Sequence, residues 1–105
     1  MNGCFVIGGK AHPLHFTVNH LCIMEEAMGQ PLSSLMNGGI TGLRAFLWCG
    51  LMGEGISRED AGEMMQAYCA EGGSLKELSA LLAEALQDAG FFHLPAQEKK
   101  ENLTV

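Results

Sequence analysis

The stretch from Gly39 to Met52, GITGLRAFLWCGLM, constrains the fold of this chain more than any other. Its large apolar residues, Ile40, Leu43, Phe46, Leu47, Trp48, Leu51 and Met52, recur at spacings of three and four, which is the signature of a helix. Arg44 is the single charged side chain in the stretch, so almost no polar face is left. A helix that is apolar on nearly every side is stable only when neighbours cover it. The sequence therefore predicts a central post over residues 40–52, with shorter, one-sided elements packed around it.

Those elements can be read in order. Phe5, Val6 and Ile7 lie between glycines, and beyond Gly8-Gly9-Lys10 the segment Ala11 to Thr17 alternates, with Leu14 and Phe16 apolar. This predicts a β-hairpin over 3–17, with Pro13 placing its second strand at an edge or a bulge because proline has no N–H to give. Thr17 or Asn19 can cap a helix over about 18–28 whose stripe is Val18, Leu21, Cys22, Met24 and Met28, and Gly29 ends it. Pro31 opens a short helix over 31–36, broken by Asn37-Gly38-Gly39 before the post. The pairs Ser57 with Asp60 and Ser74 with Glu77 have capping-box spacing and open helices over about 58–70 and 75–89. Their apolar faces are Ala61, Met64, Met65, Tyr68 and Cys69, then Leu75, Leu78, Leu82, Leu86 and Ala89.

The expected fold class is α+β, mainly α, an N-terminal β-hairpin followed by a small bundle of four or five helices. Its core is assigned to Leu21, Leu43, Leu47, Trp48, Leu51, Leu78 and Leu82. With 105 residues, 48% of them apolar, the chain can bury one core, taken as a single globular domain over 3–93. Periodicity is lost and charge rises after that, which predicts a disordered tail over 94–105.

A formal charge of −6, with six Lys and Arg scattered along the chain, argues against nucleic-acid or anionic-membrane surfaces. No apolar run reaches the roughly 18 to 20 residues of a membrane span, and the first residues lack a basic segment followed by an unbroken apolar one. A cytoplasmic protein is expected. The four cysteines, Cys4, Cys22, Cys49 and Cys69, never form a CxxC pair and read as reduced, buried thiols that act as small hydrophobes.

Little in the sequence suggests chemistry. His12, His15, His20 and Cys22 are ligand types within eleven residues, but the spacing matches no closed zinc pattern and the four are split between a strand and a helix start. Glu25 and Glu26 are adjacent, which on a helix points them about 100° apart rather than at one substrate. Glu26 has the alternative of neutralising Arg44 on the post. Gly8-Gly9-Lys10 lacks the rest of a phosphate loop and precedes a strand. A helix-turn-helix around Gly53 to Ser57 would present Glu59, Asp60 and Glu63 to DNA phosphates, the wrong charge for docking. No enzyme, cofactor or metal is expected. The seven methionines suit both core gaps and surfaces that accept apolar partners. With the nearby phenylalanines they place a partner-binding surface on Met64, Met65, Phe91 and Phe92.

Three segments together, LHFTVNHLCIMEEAMGQPLSSLM, LRAFLWCGLMGEGISREDAGEMM and the final DAGF, resemble the tail assembly chaperones of long-tailed phages, prophages and gene transfer agents. The similarity is carried by Leu21, Glu25, Glu26 and Gly29, then Leu43, Arg44, Leu47, Trp48, Gly50 and Leu51, then Ser57, Glu59, Asp60, Ala61 and Gly62, and it spans roughly residues 14–92. Met52-Gly53 departs from the pattern, where many members carry a further aliphatic residue and a histidine. The resemblance implies a non-catalytic protein of the bacterial host cytoplasm that coats the apolar, helical tape measure protein and helps recruit tail tube subunits. It also implies homo-oligomers, and a second, frameshifted long form, for which Lys99-Lys100 marks the candidate slip site. The alternative class is a small regulatory or metal-binding protein of a mobile element.

Overall fold

The structure, a computed structural model, describes residues 4–90. Strands Cys4–Ile7 (β1) and Lys10–Pro13 (β2) pair antiparallel, with Ile7 opposite Lys10 and Cys4 opposite Pro13. The connecting Gly8-Gly9 has φ of 59° and 75°, the left-handed pair that a tight hairpin turn of matching twist requires and that two glycines adopt without strain.

Thr17 caps Val18–Met28 (α1) by accepting from the His20 N–H at 3.1 Å, and Gly29 ends the helix. Leu32–Met36 (α2) starts one residue later than expected because Pro31 is extended and stands outside the helix as its cap. A proline cap offers no side-chain acceptor. The Glu25 carboxylate takes that role, accepting from the Leu32 N–H at 2.6 Å. Gly39–Leu51 (α3) is the post, extended by a short 3-10 turn at Met52–Glu54. Arg58–Ala70 (α4) and Leu75–Asp88 (α5) open on complete reciprocal capping boxes, Ser57 with Asp60 and Ser74 with Glu77. The fold is thus a two-stranded hairpin followed by five α-helices, mainly α with a small β part.

Helix α3 packs against α1, α2, α4, α5 and β2. The residues it buries are largely its small ones: Gly42, Ala45, Cys49 and Gly50, together with Phe46, Leu47 and Leu51. A Cβ at Gly42 would collide with the Leu35 carbonyl oxygen, so α2 crosses α3 at backbone contact. A Cβ at Gly50 would stand 2.9 Å from Leu14 Cδ2 and 3.0 Å from Phe16 Cζ. The Gly50 carbonyl, near the unpaired C-terminal end of α3, accepts from the His15 N–H at 2.9 Å. These contacts explain why β2 stops at Pro13 instead of running to Thr17. Leu14 to Phe16 leave the hairpin to dock on the last turn of α3.

Phe5, Met24, Leu47, Leu51 and Leu78 are fully buried, and Leu21 and Leu82 lie in the same cluster. Leu43 and Trp48 do not; both are partly exposed and pack against the cluster from outside. The Arg58 guanidinium lies 5.5 Å from the centre of the Trp48 ring and donates to Met28 Sδ at 3.1 Å, so a cation and its stem cover what would be bare indole. Four further residues of the expected apolar stripes face solvent: Val18, Cys22, Ala89 and, on the post itself, Ile40. The expected tail over 94–105 and the domain limit at 93 lie outside the described residues.

Candidate functional site

The four expected ligand-type residues do not converge. His12 Nδ1 contacts Glu54 Oε1 at 3.1 Å, His15 is exposed, His20 is half-buried with Nδ1 unpartnered, and Cys22 is exposed. Among the described residues no group of three His, Cys, Asp or Glu side chains is placed to hold a metal. The Glu26–Arg44 pair does not form either. Glu26 is exposed, and His12–Glu54 is the sole contact between a basic side chain and a carboxylate among the described residues. The N–H of Gly8 points not at a phosphate but at the chain's own Glu71, donating to both carboxylate oxygens at 3.0 Å and tying the hairpin turn to the end of α4.

Of the four free cysteines only Cys49 is buried, and burial pushes its thiol up to about 12. Cys4 and Cys22 are exposed, on the hairpin and on α1. Of the expected partner-binding residues, Met65 is only 5% exposed and belongs to the core. Met64 is half-buried in a shallow cleft with Ile7 and Ile56. Phe91 and Phe92 lie outside the described residues.

Two grooves with apolar lining lie on either side of the first half of α3. A groove of about 380 Å³ runs between α2, α3 and α5, over Leu35, Met36, Leu43, Phe46, Leu82 and Leu86. Among the described residues its polar side chains are Asn37 and Ser79, and none is ionisable. The helices leave this trough because the residues that would fill it are small: Gly39 and Gly42 on α3, Ser79 and Ala83 on α5. A second groove of about 440 Å³ lies between α3, α4 and the start of α5, and is more polar, with Thr41, Arg44 and Gln66 in its wall. Met36, 54% exposed, stands in the wall of the first groove and Ile40, 60% exposed, in that of the second.

Chemically, the described lining of the first groove suits taking apolar groups out of water. Sequence periodicity missed it because a stripe of large residues marks what is filled, whereas a groove is written in small ones. The pair Ser79 and Ala83, four apart on α5 and facing Gly39 and Gly42, was the available signal. Among the described residues no helix is long and apolar enough to cross a membrane. No protein-family model, no curated protein and no solved structure matches the chain.

Proposed function

We propose that this chain is a non-catalytic tail assembly chaperone of a long-tailed phage or prophage. In the bacterial host cytoplasm it holds apolar helices of the tape measure protein in solution until tail tube subunits are recruited. The observation that carries the reading is the uncharged groove between α2, α3 and α5, with Met36 standing 54% exposed in its wall. An exposed large thioether beside an apolar trough is a surface that accepts varied apolar side chains. A groove between helices is also the usual seat for one face of an amphipathic helix. The net charge of −6 supports the same role, since like-charged coats repel and keep a coated apolar polymer dispersed.

Co-expression with the tape measure protein tests the reading. Met36→Glu and Ala83→Glu each place a carboxylate in the groove at an exposed position, where the fold itself tolerates charge. Both variants should leave the chain folded by circular dichroism and send the tape measure protein into the insoluble fraction. Equal solubilisation by wild type and both variants would remove the groove from the proposal.

A further inference from the structure

Arg44 is half-buried in the wall of the second groove, where α4 offers it a place to lie. A Cβ on Gly62 would stand 3.2 Å from Arg44 Cδ and 3.8 Å from Nη1, so the arginine stem crosses α4 at bare backbone. Arg58, the chain's other arginine, is used internally, covering Trp48 and donating to Met28. The Arg44 guanidinium has no such use: among the described residues no carboxylate pairs with it and no oxygen accepts from it. Its five N–H donors are thus open to an incoming group, and a carboxylate can take two of them at once. Among the described residues it is also the one charged side chain of that lining. Around it stand Ile40, 60% exposed, Leu75, half-buried, and Met65 of the core, with Thr41 and Gln66 as further polar groups. On α4 the lining runs from Gly62 to Cys69, about 10 Å or two turns at the helical rise.

We propose that the second groove docks a helix of a partner protein that carries one glutamate or aspartate among apolar residues, with the carboxylate taken by Arg44. Charge complementarity selects the acid, because the planar guanidinium fork matches a carboxylate in geometry as well as in sign. The apolar surroundings of that acid follow from Ile40 and Leu75, which leave water only against a partner that is itself apolar beside its carboxylate. Shape selects the helix, since a two-turn trough between two helices receives side chains three, four and seven apart from one helical face. A densely acidic partner does not fit, because a chain of net charge −6 repels it. This site lies across α3 from the uncharged groove, and it does not rest on that groove being the client site.

The test uses two labelled amphipathic helical peptides that differ only in a glutamate or a glutamine at the centre of the apolar face, titrated into the full chain and followed by fluorescence anisotropy. The glutamate peptide should bind wild type about ten-fold more tightly than the glutamine peptide, the low end for a charge pair closed into an interface. Arg44→Met keeps an apolar stem against Gly62 and should erase that preference. Ala83→Gln, which puts bulk into the first groove, should leave both the affinity and the preference intact. Equal affinities for wild type, a preference that survives Arg44→Met, binding lost in Ala83→Gln, or no binding of either peptide would each overturn the proposal. Should Arg44→Met fail to fold by circular dichroism, the wild-type chain still decides. The Arg44 Nε–H resonance should shift on addition of the glutamate peptide and not of the glutamine peptide, and the same response to both would overturn the role of Arg44.

Discussion

Gly42 and Gly50 set the geometry of the post, and they do so differently. At Gly42 the atom in the way is the backbone carbonyl oxygen of Leu35, which cannot move unless α2 moves. At Gly50 the nearest atoms are the tips of Leu14 and Phe16, which can yield by rotating. Gly42→Ala should therefore cost at least the 1–3 kcal/mol typical of overpacking, and Gly50→Ala visibly less, in urea unfolding of the two variants side by side. Equal losses would mean that α2 is not held against α3 at this point. The residue scale is also where the sequence is least legible. Ile40 and Val18 fit apolar stripes and face water, whereas Met65 looks like a surface methionine and is core. Periodicity states that a helix has an apolar side, but α3 is apolar on most sides, so its pattern cannot choose among them. The choice is made by which face is flat enough for another backbone to approach.

The elements themselves were legible because their ends are written in local chemistry. Ser57 with Asp60 and Ser74 with Glu77 each satisfy donors that the first turn of a helix leaves unpaired, whatever the tertiary fold, so their spacing alone locates α4 and α5. Where an end is set by tertiary contact the sequence misleads. β2 stops early because Leu14 and Phe16 bury more on α3 than they would on a two-stranded ribbon, and α2 depends on Glu25, seven residues before the group it caps. Ser74→Ala removes the acceptor for the Glu77 N–H, 3.1 Å away, and also leaves the Glu77 side chain as a lone partner of the cap backbone. Its cost should be about 1 kcal/mol in global stability, with faster amide exchange confined to the first turn of α5. Loss of protection along the whole helix would show instead that α5 depends on its cap rather than on Leu78, Leu82 and Leu86.

At the scale of the whole molecule, the buried thiol in the last turn of the post couples stability to pH. Cys49 is fully buried, and the absence of water raises its thiol from 9.0 to about 12 in the folded state. Below pH 9 both folded and unfolded chains keep the proton, and the group contributes no pH dependence. Above it the unfolded chain gives the proton up while the folded chain holds it, so stability falls as pH rises, by at most about 1.4 kcal/mol per unit until the folded thiol ionises. Tyr68 is pushed in the same direction, by burial first and then by the charge of Glu77, and steepens the loss from about its ordinary value of 10.0 upward. Urea unfolding at pH 8, 9, 10 and 10.5 should show this decline, and Cys49→Ala, although less stable at every pH, should show a shallower one. A parallel pair of curves would mean that the Cys49 thiol ionises in the folded state as freely as in the unfolded. The same burial predicts the chemistry of the cysteines with a thiol-reactive dye at pH 8. Cys4 and Cys22, exposed on the hairpin and on α1, should label at once, and Cys49 only as fast as the whole domain opens, because each of the elements packed on α3 must part before reagent can reach it.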